Sequence, residues 1–146
     1  MARYLIVDAY SIIYAWPDLR ALHERRLSLA REALLQRLTH FHDTGDYRVV
    51  VVFDGKGSAR ANEATVPGGI QVFYSGNGLS ADAIIERLVA KYAGQHALYV
   101  ATADHLEAQT VISFGATSCL SPEMLRTMIE ESEREFQRLV EKRRRR

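Results

Sequence analysis

The chain has 146 residues, of which 47% are hydrophobic and 25% are charged, a composition typical of a globular protein with one domain and a substantial core. It contains one cysteine, which excludes an internal disulfide and makes a reducing cytoplasm the expected location. No segment is apolar and long enough to cross a membrane, and the first residues lack the apolar core of a signal peptide.

The net charge of +1 is unevenly distributed. The last six residues, from Glu141 to Arg146, include five basic residues and one acid, so the rest of the chain carries a net negative charge. A basic end can contact the phosphates of a nucleic acid. A frayed, solvated helix end explains the same residues equally well, and the sequence leaves both interpretations open.

Strand and helix patterns alternate through the first half of the chain. The first predicted strand covers about residues 4–7, and a long helical stretch covers about 19–42, with apolar residues every three or four positions. The β-branched run at 48–53 predicts a second strand that is covered on both faces. Residues 55–69 contain several glycines and a proline and are predicted to form a loop.

The alternation continues through the second half. Ser80 is the predicted N-cap of a helix that ends before Gly94, and Ser121 with Pro122 starts the last helix, whose buried side is predicted to run from Leu125 to Leu139. The remaining predictions are strands at 70–74, 98–101 and 116–120, a turn at 75–78 and a short helix at 105–113. This order predicts an α/β fold in which residues 1–146 form one domain, with a mostly parallel sheet of four or five strands flanked by helices.

Acidic residues recur where the predicted strands end. Asp8, Asp54 and Asp104 end or follow strands, while Asp82 opens a helix and Glu86 lies one turn later on the same face. The carboxyl ends of parallel strands line one edge of a sheet, and ligands bind there. Clustered carboxylates repel one another unless a cation is present, and hard oxygen ligands suit Mg²⁺ or Mn²⁺. The pattern predicts a metal-dependent site that acts on phosphate groups.

Each acid alone also has a structural explanation. The dipole of a helix favours an acid such as Asp82 near the N-terminus, and an aspartate after a strand is a common turn former. It is the combination of three strand ends and one helix start that favours a functional site.

Five segments in order resemble the motifs of YacP-like NYN-domain proteins. Residues 7–17 resemble D-G-Y-N-x-I-x-x-W-P, and residues 52–55 match V-F-D-[AG]. Residues 80–88 match [TS]-A-D-x-x-I-E-R-L, residues 101–109 resemble V-A-T-S-D-x-x-E-Q, and residues 114–116 resemble a late G-A element. No single motif is specific, but the ordered set covers most of the chain.

The resemblance implies a PIN-like, Rossmann-like domain with the activity of a Mg²⁺- or Mn²⁺-dependent endoribonuclease, a hydrolase of RNA. It also implies mRNA on the ribosome as a partner. The implied acidic site consists of Asp8, Asp54, Asp82, Glu86 and Asp104. Within this set Asp8, Asp82 and Asp104 are the predicted metal ligands, and Asp54 and Glu86 are the predicted outer ligands or water-positioning groups. The predicted substrate contacts are Ser11, Lys56, Arg60 and Arg87.

Two departures from the motifs bear on activity. Ala9 and Ser11 stand where the family has glycine and asparagine, and Ala103 replaces the usual serine before Asp104. Serine is shorter than asparagine and lacks the amide group. A catalytically weakened RNA- or ribosome-binding module therefore remains the alternative. A phosphatase or receiver-like domain is disfavoured, because Asp8 is followed by alanine and tyrosine and not by a second acid at the required position.

Overall fold

Five strands make up one parallel sheet. The computed structural model describes residues 2–55, 68–76 and 78–145. Its strands are β1 (Arg3–Asp8), β2 (Tyr47–Phe53), β3 (Gln71–Tyr74), β4 (Ala97–Ala101) and β5 (Ser118–Leu120). They lie side by side in the order β3-β2-β1-β4-β5, and every neighbouring pair is parallel. The predicted α/β fold with a mostly parallel sheet is therefore confirmed.

Helices cover both faces of the sheet. Those described are α1 (Ala9–Ala15), α2 (Pro17–Arg25), α3 (Leu27–Thr44), α4 (Ala81–Tyr92), α5 (His105–Ser113) and α6 (Pro122–Arg144). Buried residues of α1, α2, α3 and α6 belong to the core on one face, and those of α4 and α5 belong to the core on the other. None of the described helices is long and apolar enough to cross a membrane.

The alternation of side chains along the central strands divides the core in two. In β1, Leu5 and Val7 join the core on the α1 side, while Ile6 joins the core on the α4 side. In β2, every residue from Val49 to Phe53 is buried. The prediction that this strand is covered on both faces is confirmed.

The predicted helix at 19–42 was wrong in its extent, because the chain forms α2 and α3 in its place. The backbone is extended at Arg26, with φ of −163°, and Leu19 of α2 packs into the same core as Leu34 of α3. A straight helix from 19 to 42 would be about 36 Å long and would carry Leu19 away from that core. Nothing in the local sequence marks this break.

The short helix α1 was not predicted. It follows β1 directly, and no side chain caps its first turn. Its end is set by Pro17, which disfavours helical backbone at the preceding residue, Trp16. Pro17 then occupies the first turn of α2.

The buried side predicted for the last helix was wrong beyond its first half. Leu125 and Ile129 are buried, but Phe136 and Leu139 are 37% and 60% exposed. With 23 residues, α6 is about 35 Å long. Its second half therefore extends past the core, and its basic end is exposed.

The strand order places a topological switch next to β1. The chain adds β2 and β3 on one side of β1 and then crosses to add β4 and β5 on the other. Val7 of β1 lies beside Ala101 of β4, so Asp8 and Thr102 follow at the adjacent carboxyl ends. Open α/β sheets bind ligands at such a point.

Candidate functional site

A cavity of about 440 Å³ opens at the carboxyl edge of the sheet. The end of β1, the residue after β2, the first turn of α4 and the turn after β4 each contribute one aspartate to its wall. The residues that line it are Asp8, Tyr10, Ser11, Tyr14, Asp54, Gly55, Ala81, Asp82 and Asp104. The structure thus brings the four aspartates of the predicted site together around one cavity.

Three carboxylates at this edge are close enough to share a cation. Asp8, Asp82 and Glu107 each offer one oxygen, and these oxygens lie within 4.8 Å of one another. Alternation along β1 places Asp8 on the same sheet face as Ile6, which is the face covered by α4 and α5. Asp82 lies in the first turn of α4 and Glu107 in the first turn of α5. Each helix therefore brings one acid to Asp8.

Glu107 is the site residue that the strand-end pattern missed. Its spacing from Asp104 fits a capping box, which is an ordinary structural role for a glutamate. The overlooked signal is its position four residues before Val111 on the buried face of α5. Glu107 is 2% exposed and Val111 is 0% exposed. A carboxyl group on a buried helix face is costly unless something compensates it.

The hydroxyl of Thr102 links these acids to the end of β4. It donates to Oε2 of Glu107 at 2.8 Å, lies 3.4 Å from Oδ2 of Asp8 and accepts the backbone N–H of Asp104 at 3.1 Å. The other carboxylate oxygen of Glu107, Oε1, is buried and has no hydrogen-bond partner among the described residues. Since Oε2 accepts from Thr102, Oε1 is the oxygen that carries the proton when Glu107 is protonated and that can then donate to Asp8.

Burial and mutual repulsion raise the pKa values of two of these acids. Burial raises the pKa of Glu107 to about 9, with further contributions from its interactions with Asp8 and from the charge of Asp82. Burial also raises the pKa of Asp8, and the charge of Asp82 adds to that rise against the lowering effect of its hydrogen bonds. Glu107 is therefore protonated at neutral pH when no cation is bound.

No described basic side chain offsets the charge of this group of acids. In the described ranges, the ion pairs join Asp18 to Arg37 and Arg126, and Arg126 to Glu130. Asp8, Asp82 and Glu107 take part in none of them. The donor set of three carboxylates fits a hard divalent cation.

Asp104 lines the cavity as predicted and also caps a helix. Its Oδ1 accepts the backbone N–H groups of Leu106 at 2.9 Å and Glu107 at 3.3 Å and so caps α5. It is not part of the group of acids within 4.8 Å of one another, where Glu107 takes its place beside Asp8 and Asp82. A direct metal contact from Asp104 stays a prediction.

Ser11 lines the cavity but already has a partner. Its hydroxyl oxygen accepts the backbone N–H of Ala103 at 2.6 Å and lies 3.4 Å from the hydroxyl of Thr102. Ser11 therefore ties α1 to the turn that carries Asp104. The contact of Ser11 with substrate stays a prediction.

Asp54 lines the cavity from the end of β2, the strand next to β1. Its Oδ1 accepts a hydrogen bond from the hydroxyl of Ser75 at 3.2 Å, and that hydroxyl accepts the backbone N–H of Gly55 at 2.8 Å. These bonds join the ends of β2 and β3. Asp54 itself remains exposed toward the cavity.

The remaining predicted site residues either do not line this cavity or lie outside the described residues. Glu86 is half-buried one turn after Asp82, and Arg87 is exposed on α4, but neither is among the described lining residues. Lys56 and Arg60 lie outside the described residues. Their predicted contacts with substrate stay predictions.

Comparison with known proteins assigns the chain to a family. The sequence pattern of the YacP-like NYN domain matches residues 5–146. The chain belongs to the YacP-like NYN family. A curated relative in this family, uncharacterized protein YacP from Bacillus subtilis (strain 168), is 31% identical over 141 residues, which are 94% of this chain and 81% of the relative. The resemblance based on five ordered motifs is confirmed.

Two solved structures of a YacP protein have a similar fold. The crystal structure of Rae1 (YacP) from Bacillus subtilis has a TM-score of 0.78 and is 32% identical, covering 95% of this chain and 80% of that one. A mutant form of the same protein has a TM-score of 0.79 and 30% identity, covering 95% and 81%. Membership of the YacP-like NYN family points to an RNase-like fold and to interaction with RNA.

Proposed function

We propose that this chain is a Mg²⁺- or Mn²⁺-dependent endoribonuclease that hydrolyses phosphodiester bonds of RNA in the cytoplasm, with mRNA on the ribosome as its substrate. The observation that carries the proposal is the convergence of Asp8, Asp82 and Glu107, which come from three different elements and offer carboxylate oxygens within 4.8 Å of one another. Membership of a nuclease-like family supports this chemistry.

Asp8, Asp82 and Glu107 would hold the cation. Mg²⁺ is bound by few protein carboxylates and keeps several waters, so three acids from three different elements are a sufficient set. When bound, the cation supplies a Lewis acid that activates water and offsets the charge that develops on the phosphate. Glu107 would have to lose its proton to take part, because metal ligands bind in their deprotonated form.

The surrounding residues position these acids. Thr102 fixes Oε2 of Glu107 through its hydroxyl, which leaves Oε1 as the oxygen available to a cation once the proton is lost. Asp104 caps α5 and so fixes the first turn that carries Glu107. Asp54 lines the cavity from the end of β2, where it would orient water or an outer ligand. Glu86 has the same proposed role from the next turn of α4.

RNA would lie across the mouth of the cavity. The cations proposed to hold its backbone are Lys56, Arg60 and Arg87, and Ser11 is proposed to contact the substrate at the wall. A cavity lined by four aspartates repels a polyanion by itself. Binding of RNA is therefore expected to depend on the divalent cation as well as on these basic residues.

A circular RNA tests the proposal directly. Because a circle has no ends, only an endonuclease converts it to a linear product. We expect the purified chain to linearise it with Mn²⁺ or Mg²⁺ and not with EDTA, and we expect Asp82→Asn to lose the activity. Asp46→Asn is the matched control, since Asp46 is an exposed aspartate before β2, at the amino edge of the sheet.

The alternative is an RNA- or ribosome-binding module that has lost most of its catalytic power. The observation that favours it is the hydrogen bond from the N–H of Ala103 to the hydroxyl of Ser11, which occupies the side chain that replaces the family asparagine. On this alternative, the wild-type chain and Asp82→Asn bind RNA equally and neither linearises the circle. Restoring the family residue by Ser11→Asn would then raise cleavage.

A further inference from the structure

Tyr14 presents an exposed aromatic ring at the rim of the acidic cavity. It is 51% exposed and lines the acidic cavity together with Asp8, Asp82 and Asp104. It also lines a second, shallower cavity of about 420 Å³, whose other lining residues are Ser11, Ala15, Ala103 and Asp104. Ser11, Tyr14 and Asp104 are common to both cavities, so the two are continuous around this ring.

The ring of Tyr14 is supported from within the protein. Tyr10, four residues earlier on α1, stacks against it with 6.1 Å between ring centroids and an angle of 27°. His23 of α2 meets it edge to face at 5.0 Å and 87°. Two aromatic neighbours thus pack against the ring, while about half of its surface stays in contact with solvent.

Tyr10, which stacks against Tyr14, is itself held by residues of the core. The hydroxyl of Tyr10 accepts a hydrogen bond from Nε of Arg31 at 2.9 Å, and the Arg31 guanidinium lies over the rings of Tyr10, Phe53 and Tyr74 at 5.5–5.7 Å. Tyr10 also packs edge to face on Phe53 at 5.7 Å, and Phe53 is fully buried. The position of Tyr14 is therefore set before any ligand arrives, which lowers the entropic cost of binding.

The second cavity has room for a flat group beside the ring. Two of its lining residues, Ala15 and Ala103, are exposed and carry only methyl groups. The polar contributors, Ser11 and Asp104, already make hydrogen bonds to backbone N–H groups. The ring of Tyr14 and the methyl groups of Ala15 and Ala103 favour stacking of a planar base, while the exposed carboxylate of Asp104 disfavours an anionic group at this wall.

We propose that Tyr14 is a stacking platform for an unpaired nucleobase of the RNA substrate, placed in the second cavity while the adjoining phosphate lies at the acidic cavity. This inference rests on the proposed function and extends it to a base-binding subsite. Stacking on an aromatic side chain tolerates every base, since each has a π-face. The subsite therefore selects single-stranded RNA over duplex and does not select a particular base.

Binding of a short, unstructured, fluorescent RNA tests the subsite. The measurement uses Ca²⁺ in place of Mg²⁺ or Mn²⁺, which fills a site of carboxylates while hydrolysis is suppressed, and every variant keeps Asp82. We expect Tyr14→Ala to weaken binding about 5- to 160-fold, the range for loss of one base–aromatic stack. Tyr14→Phe keeps the ring and should stay within about threefold of the parent. Phe114→Ala is the control, because Phe114 is 46% exposed at the far end of α5 and should change nothing.

An abasic series identifies the base that stacks. RNAs with one abasic nucleotide at successive positions should include one position that reproduces the loss seen with Tyr14→Ala, and the two changes together should cost no more than either alone. If Tyr14→Ala binds every RNA as tightly as the parent while the parent still cleaves RNA with Mn²⁺, the platform is refuted and the nuclease stands. If the unmodified chain neither binds nor cleaves RNA, the proposed function fails and the subsite fails with it.

Discussion

Thr102 donates a hydrogen bond to Oε2 of Glu107 at 2.8 Å, while Oε1 of the same carboxyl group is buried and has no described partner. This hydrogen bond satisfies Oε2, so Oε1 is the oxygen that remains available to a cation. Thr102 follows the last residue of β4 and Glu107 lies in the first turn of α5. The turn between strand and helix thereby becomes a rigid support for one acid of the proposed metal site.

Removing this hydroxyl should weaken the fold and the site together. Thr102→Val has nearly the same shape but leaves Oε2 of Glu107 and the N–H of Asp104 without their partner. Of these two groups only the Glu107 oxygen is buried, and one unsatisfied buried group costs about 1–3 kcal/mol, so the free energy of unfolding should fall by about that amount. Urea unfolding measures it. Thr102→Ser retains the hydroxyl and should lose much less, and equal losses in the two variants would show that the hydrogen bond contributes little.

Mn²⁺ should stabilise the chain through Glu107. A ligand that binds only the native state adds about 2.7 kcal/mol at 100 times its Kd, which thermal denaturation detects as a raised Tm. Glu107→Gln resembles the protonated acid and should have nearly the wild-type Tm without metal, but it should lose most of the shift with Mn²⁺. The control is Glu123→Gln, an exposed acid in the first turn of α6. A full shift in Glu107→Gln would exclude Glu107 as a ligand.

The metal-free chain should become less stable as pH rises from about 5 to about 9. The pKa of Glu107 is about 9 in the folded chain against a reference value of 4.5, so in this window the folded state holds a proton that the unfolded state has released. The stability that the protonated Glu107 contributes is complete below its reference pKa of 4.5. It is lost as the pH rises through the folded-state pKa of about 9. The loss of stability is measured as the Tm of the wild type and of Glu107→Gln at several pH values between about 5 and about 9. The Tm of the variant should lack this decline with pH.

Metal binding should show the opposite dependence on pH. Because a cation displaces the proton of Glu107, the affinity for Mn²⁺ should rise with pH and binding should release protons. Isothermal titration calorimetry in two buffers of different ionisation enthalpy counts the protons released. Glu107→Gln has no proton to lose at this position and should release fewer. An affinity that is independent of pH would contradict the assignment of Glu107 to the site.

The basic end of the chain should affect RNA binding more than chemistry. The described basic residues at this end, from Lys142 to Arg145, are exposed on and just beyond the last turn of α6. Deleting residues 143–146 should weaken binding and flatten its dependence on salt, since each lost phosphate contact on a single strand lowers the slope by about 0.7. Cleavage at saturating substrate should change little. An unchanged salt slope would mean that this end is only a solvated helix terminus.

Sequence patterns predicted the sheet well, because the signals that carry it are local. A continuous β-branched run such as Val49 to Phe53 is stable only when both of its faces are covered, and its alternation with amphipathic helices leaves few arrangements other than a parallel α/β sheet. Aspartates at the ends of such strands must approach one edge whatever the details of packing. For this reason Asp8, Asp54, Asp82 and Asp104 could be placed around one cavity in advance.

Tertiary structure decided what local signals could not. The break at Arg26 has no breaker residue and follows from the packing of α2 against α3, and the short helix α1 has no capping side chain to announce it. Glu107 fits a capping box in sequence, and only the closeness of β1, α4 and α5 places it beside Asp8 and Asp82. The reason is physical: periodicity reports which face of an element is buried, but the distance between two carboxylates depends on how separate elements pack together.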